Sequence, residues 1–116
     1  MALTVLVLRE IFRNLAQWRA LYESQGLDTI QGPDGEEISI FDIEYLYDNL
    51  DKLPKRQRQA ISLYLVKNMR EVDAAVAMNV SRTNPVGIYA TVGLSKLVDM
   101  IADGSLPRYK ETAKVE

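Results

Sequence analysis

The side chains best suited to chemistry in this sequence are basic, and they are clustered. Residues 52–82 carry seven of them against only two acids, Glu71 and Asp73. Lysine and arginine bind phosphate oxygens, so such a cluster can mark an electropositive binding face. The preceding segment, residues 28–51, has eight acids and no base. The two segments therefore either expose a basic surface or neutralise each other across a packed interface. The seven bases are Lys52, Lys55, Arg56, Arg58, Lys67, Arg70 and Arg82.

Other reactive groups are scarce. The chain has no cysteine and no histidine, which removes thiolate chemistry, the commonest general base and the commonest metal ligand. It also lacks a glycine-rich phosphate loop and a spaced set of metal ligands. We therefore expect a protein that is not an enzyme, that binds no metal or cofactor, and that works in a reducing cytoplasm. The apolar start, ALTVLVL, is too short to span a bilayer, so no membrane partner is expected.

The strongest local pattern is a tight turn that follows the basic cluster. Ala74, Ala75 and Met78 repeat at helical spacing, and Asn79 tolerates the left-handed conformation that ends many helices. Val80 can enter the core. Capping oxygens and a proline favoured at the first helical position then start a second helix. A short helix, a turn of a few residues and a longer helix predict a helix-turn-helix unit. The capping and first-turn residues are Ser81, Thr83, Asn84 and Pro85.

The segment before this turn resembles a known family. The run from Leu50 to Ile61, LDKLPKRQRQAI, is similar to the entry to region four of bacterial sigma factors, which carries an LDxLPxRQRxxI-like pattern. The turn Asn79-Val80-Ser81-Arg82 stands where that family has Gly-Val-Ser-Arg, and the closing pattern falls on Ile88 or Tyr89, Leu94, Lys96 and Leu97. The resemblance covers about residues 43–97. It implies double-stranded promoter or operator DNA as the partner, together with RNA polymerase.

The last helix departs from the family pattern. Residues 83–91, TNPVGIYAT, contain no Arg, Lys or Gln, which are the side chains best suited to bidentate contacts with base edges. We therefore expect DNA to be contacted mainly through its phosphates. The predicted DNA-binding residues are Lys55, Arg56, Arg58, Arg70, Ser81, Arg82, Thr83 and Asn84. The chain also lacks the other regions of a complete sigma factor, so it looks more like a small stand-alone regulator of the kind that bacteriophages or their hosts encode.

The first helix predicts a second kind of contact. Residues 3–8, LTVLVL, are apolar on almost every side of the predicted helix. A helix that packs one face against a small domain needs only a stripe of apolar residues. The outer face of the last helix is likewise small and neutral. We therefore predict a protein interface, in a homo-oligomer (a two-fold dimer being the commonest) or a hetero-complex, formed by Leu3, Leu6, Leu8, Gly87, Ile88, Thr91 and Ser95.

The periodicity around these sites predicts an all-α fold with one further small element. Helices are expected over residues 2–25, 39–52, 54–68, 70–78 and 84–102, and residues 27–40 are expected to form a loop or a small β-hairpin around Gly-Pro-Asp-Gly. Residues 1–104 would form one domain and residues 105–116 a flexible tail. Two functions remain open: a small DNA-binding transcription regulator, or a protein-interaction module on a helix-turn-helix scaffold that has lost base readout.

Overall fold

The computed structural model describes residues 4–32, 35, 37–81 and 84–105, and within them the fold is mostly helical with one small antiparallel sheet. This confirms the predicted fold class at that level. In chain order the elements are α1 (Val5–Arg13), α2 (Leu15–Gln25), β1 (Thr29–Gln31), β2 (Glu37–Ser39), α3 (Ile40–Asp48), α4 (Lys55–Ala60), α5 (Glu71–Met78) and α6 (Asn84–Ala102). A 3-10 turn, Leu50–Lys52, precedes α4, and a π-helical segment, Ile61–Val66, continues it.

The first helix is divided in two, so the prediction of one helix over residues 2–25 was wrong. Thr4 caps α1 by accepting a hydrogen bond from the backbone N–H of Val7 at 3.2 Å. The break lies at Asn14, whose side-chain amide donates to the Glu10 carbonyl at 2.8 Å and so competes with the helical ladder. Helix α2 ends at Gly26, which adopts the left-handed conformation with φ 68°.

Residues 27–40 contain a hairpin, which settles the choice between loop and hairpin. Strands β1 and β2 pair antiparallel, with Ile30 opposite Ile38. Ile38 is buried, so the short sheet contributes one side chain to the core. Ser39 then accepts a hydrogen bond from the N–H of Phe41 at 3.2 Å and caps α3, as the sequence predicts. Of the Gly-Pro-Asp-Gly motif at residues 32–35, the structure describes the two glycines.

Helix α3 holds the acidic segment against α2. Its apolar face, formed by Ile43 and Leu46, is buried as predicted. The regular α-helix is shorter than expected and gives way to the 3-10 turn after Asp48. Glu44 pairs with Arg19 of α2 through two bonds of 2.6 and 2.7 Å. This carboxylate hydrogen bond raises the pKa of Arg19, and it gives one of the acids a partner within the fold.

The helix predicted over residues 54–68 changes its winding. After Ala60 the chain forms the π-helical segment, in which the N–H of Lys67 bonds to the carbonyl of Ser62 at 2.9 Å. Ile61 and Leu65 are nevertheless fully buried, as predicted. The segment ends at Asn68, which has a positive φ of 54° and whose side chain donates to the Arg13 carbonyl at 2.8 Å.

Helix α6 is central to the core. Its inward stripe, Val86, Ala90, Gly93, Leu94 and Leu97, is buried, and α6 packs against α1, α4, α5 and the π-helical segment. The predicted helix-turn-helix unit requires a shared core of Ile61, Leu65, Ala75, Met78, Val80 and Leu97. All of these are buried except Val80, which is half-buried against the same cluster.

By length and composition alone, the part of α6 from Pro85 to Ala102 could also cross a membrane, the one such helix among the described residues. The stripe that it buries in the core accounts for part of this apolar character. The predicted tail, residues 105–116, lies outside the described residues except for Ser105.

Candidate functional site

The connection between α5 and α6 is a well-defined helix end. Asn79 adopts the left-handed conformation, with φ 58° and ψ 45°, as the sequence predicts. Its N–H bonds to the carbonyl of Val76 at 3.1 Å, and the N–H of Val80 bonds to the carbonyl of Ala75 at 3.0 Å. These two bonds form the Schellman motif, which satisfies the free carbonyls at the end of a helix. The end of α5 therefore has a defined geometry as far as Val80.

Four of the predicted DNA-binding residues belong to this turn and to the first position of α6. Ser81 is described and lies exposed to solvent. Arg82 and Thr83 lie outside the described residues. Asn84 is the first residue of α6, although its side chain is not described. The backbone of α6 therefore begins five residues after Asn79, and the N-terminal end of α6 follows the turn directly.

Arg56 has a structural role that the sequence did not predict. Its guanidinium donates to the backbone carbonyl of Met78, the last residue of α5. A cation at the C-terminal end of a helix is favourable because it lies on the negative end of the helix dipole. Within the described residues, Arg56 therefore forms no ion pair with the preceding acids. Instead it joins the beginning of α4 to the end of α5.

Two cations close to Arg56 in the sequence, Lys55 and Arg58, are available to bind an anion. Lys55 is exposed and Arg58 is half-buried, and neither forms an ion pair with any described residue. Both cations lie on the same helix as Arg56, which holds the beginning of α4 to the end of α5. Arg70, at the start of α5, is different. It pairs with Asp73 at 3.0 Å on the exposed surface, and this hydrogen bond raises its pKa.

The outer face of α6 is exposed, small and mostly neutral. Ile88 is 62% exposed, Thr91 is exposed, and Gly87 and Ser95 are half-buried. The other predicted interface residues lie on α1 or before it. Leu6 is 74% exposed, but Leu8 is fully buried in the chain's own core. The expectation that Leu8 forms a partner contact was therefore wrong, because α1 uses that side of the helix against α6. Leu3 lies outside the described residues.

A groove of about 500 Å³ lies along this face of α6. Gly87, Ile88 and Thr91 form one wall, and Arg9, Tyr64 and Glu71 contribute from other elements. The Arg9 guanidinium donates to the hydroxyl of Thr91, and the Tyr64 hydroxyl donates to the Glu71 carboxylate at 3.1 Å. Arg9 was not among the site residues predicted from the sequence. The only local signal was its spacing of four from Arg13, which places both cations on one side of α1.

No other described cluster suggests a catalytic or metal site. The part of the chain that the structure describes contains no group of three or more acids placed to bind a metal ion. Two smaller cavities, of about 300 and 370 Å³, lie beside α2 and the hairpin. The first contains the paired Arg19 and Glu44, and the second is lined by Trp18 and Asn14 among others. The groove on α6 is therefore the feature that best combines exposed surface with available charge.

Comparison with known protein families, curated proteins and solved structures gave no match to this chain. Its function therefore has to be inferred from its own residues.

Proposed function

We propose that this protein is a small DNA-binding transcription regulator in which α4, α5 and α6 form a helix-turn-helix unit of the sigma region-four type. The observation that carries the proposal is the bond from Arg56 to the Met78 carbonyl. It brings the cationic beginning of α4 to the turn from which α6 starts. Lys55 and Arg58 lie on the same helix and form no ion pair with a described residue, and the N-terminus of α6 offers backbone N–H groups and a helix dipole that also favour anions.

Contact with DNA phosphates accounts for this arrangement better than base readout does. The exposed side chains on the first turns of α6, such as Ile88 and Thr91, include no guanidinium, ammonium or long amide group. Phosphate contacts hold a protein on the duplex without reading its sequence. An α6 helix lying against the duplex would therefore give affinity with modest specificity. Specificity for a promoter would come from RNA polymerase, the protein partner that the resemblance implies.

The proposal is tested by DNA binding at several salt concentrations. A fluorescently labelled duplex of mixed sequence is titrated with the protein, and anisotropy is read from 50 to 200 mM salt. Removing one phosphate contact should reduce the slope of log affinity against log salt by about 1. We expect this reduction for Lys55→Ala and for Arg58→Ala, with similar weakening on unrelated sequences. Binding that is absent at 50 mM salt, or that does not change with salt, would contradict the proposal.

Lys96→Ala is the matched control, because it also removes one exposed positive charge. Lys96 lies twelve residues beyond the start of α6, which is about 18 Å along the helix axis at 1.5 Å per residue. A contact centred on the turn should therefore be affected much less by this substitution. Equal weakening by Lys96→Ala and Lys55→Ala would indicate a diffuse electrostatic effect rather than a site at the turn.

A protein-interaction module is the second candidate, and exposed apolar side chains favour it. Val76 is 76% exposed on α5, and Ile88 and Leu6 are exposed to a similar degree on α6 and α1. Exposed apolar residues that form a patch often mark protein interfaces. Purification from a host lysate with and without nuclease separates the two candidates. A stoichiometric protein partner that survives nuclease, together with no affinity for DNA, would favour the interaction module.

A further inference from the structure

The outer face of α6 has no lysine or arginine of its own before Lys96. Helix α1 supplies an arginine to this face. Arg9 donates a hydrogen bond to the Thr91 hydroxyl across 82 positions of sequence. The backbone of α1 is held firmly at this point. Leu8, Ile11 and Phe12 on its other side are each at most 1% exposed. The guanidinium is therefore placed on α6 by the packing of α1 and not by a flexible segment.

The hydrogen-bonding capacity of Arg9 is only partly used. A guanidinium has five N–H donors, and the Thr91 hydroxyl accepts from one terminal nitrogen. The Nε atom is shielded from solvent and has no hydrogen-bond partner among the described residues. The other terminal nitrogen also forms no hydrogen bond with a described residue, so the guanidinium retains donors for an acceptor that enters the groove.

Arg9 also forms no ion pair with a described residue. The acid lining the groove, Glu71, accepts a hydrogen bond from the Tyr64 hydroxyl, and no ion pair joins it to Arg9. Arg13, one turn along α1, lies over the ring of Tyr64 with its guanidinium carbon 4.8 Å from the ring centroid. One guanidinium of α1, that of Arg9, therefore lines the groove, and the second lies over the ring of Tyr64, which is itself a lining residue.

We propose that Arg9 supplies the DNA contact that α6 itself lacks, donating to an acceptor on the duplex that lies against α6. This inference rests on the proposed function. The acceptor is either a phosphate oxygen or the O6 and N7 edge of guanine, because both match the fork of a guanidinium. Helix α1 is then part of the DNA-binding surface, and the helix-turn-helix unit alone is an incomplete site.

The test compares Arg9→Ala and Arg9→Lys with wild type in the anisotropy titration. Lysine keeps the positive charge but does not have the planar fork. We expect Arg9→Ala to weaken binding by about 5- to 100-fold, the range for removal of one such interaction. If the acceptor is a phosphate, the weakening should be uniform across sequences, the salt slope should fall by about 1, and Arg9→Lys should restore much of the affinity. If the acceptor is guanine, the weakening should depend on sequence and Arg9→Lys should restore less.

Arg9→Lys serves as the control that keeps the charge, and circular dichroism on each variant checks that the fold is retained. Should Arg9→Ala fail to fold, Arg9→Gln takes its place, because it removes the positive charge while keeping an aliphatic stem and a polar end, and Arg9→Gln binding as well as wild type would overturn the inference. If wild type binds DNA and Arg9→Ala binds it equally well, this inference is overturned and the proposed function stands. Wild type that does not bind DNA would overturn both.

Discussion

Gly93 lies where α6 crosses α4, and adding a single methyl group there is expected to destabilise the protein. A Cβ atom at this position would be 2.9 Å from Cδ1 of Ile61 and 3.1 Å from Cβ of Gln57. Favourable carbon–carbon contacts are at about 3.5–4.0 Å. Ile61 is fully buried, so its methyl group has no solvent to move into. Gly93→Ala therefore forces either a shift of Ile61 or a separation of the two helices.

The magnitude follows from two opposing effects. Overpacking a core by one methyl group costs about 1–3 kcal/mol, whereas replacing glycine by alanine inside a helix gains about 1 kcal/mol. We therefore expect the free energy of unfolding to fall by about 1 kcal/mol in Gly93→Ala. Gly87, on the same helix, is a matched control because a Cβ there would meet nothing within 4 Å. Gly87→Ala should keep the propensity gain, so the two variants should differ by about 1–3 kcal/mol.

Urea unfolding followed by circular dichroism at 222 nm measures both variants, with the slope m checked for constancy. A second substitution tests the cause directly. Ile61→Val removes the Cδ1 atom and alone should cost about 0.5–1.5 kcal/mol. In the Gly93→Ala background it should cost less, because it relieves the clash. A Gly93→Ala variant as stable as Gly87→Ala, or strictly additive effects of the two substitutions, would refute the close approach of α6 and α4.

Three further predictions concern the core, the turn and the exposed face. Leu65→Ala should lower the free energy of unfolding by about 2–5 kcal/mol, because it opens a cavity in a fully buried site; urea unfolding checks this, and a decrease below about 1 kcal/mol would contradict the packing. Arg56→Ala should destabilise the protein in the absence of DNA, because it leaves the Met78 carbonyl without its partner; an unchanged urea midpoint would argue against that hydrogen bond. Leu6→Glu should leave the fold intact, since this side chain is 74% exposed, and should dissociate any homodimer in light scattering. An unchanged oligomer would exclude Leu6 from the interface.

Local sequence signals were sufficient to predict where an element begins or ends at a capping residue. Ser39, Asn79 and the prolines before α4 and in the first turn of α6 indicate their conformations through one or two neighbouring bonds, and the structure places Ser39 and Asn79 as expected. The apolar stripe of α6 could also be predicted, because its apolar residues repeat with the period of a regular helix. Capping and periodicity act over a few residues, so a single sequence contains them.

The features that were missed depend on contacts distant in sequence or on small changes in winding. The apolar repeat continues through Asn14, so the break between α1 and α2 leaves the pattern almost unchanged. Over the six residues of the π-helical segment, a change in the number of residues per turn is equally hard to detect. The bonds from Arg9 to Thr91 and from Arg56 to Met78 join different elements. Neither bond could be inferred before the packing of the helices was known.

The division at Asn14 has a consequence for how the protein opens. Leu15 is the one fully buried residue of α2, and Trp18 packs half-buried against the core. Beyond Trp18 the helix is held by the Arg19–Glu44 pair and by an edge-to-face contact between Tyr22 and Phe41. Its unfolding would expose little of the core. The backbone amides in the second half of α2 should therefore exchange with deuterium through local opening, while those in the middle of α6 should exchange only when the whole domain unfolds. The N-terminal region would then comprise two units, with α1 remaining folded while α2 opens.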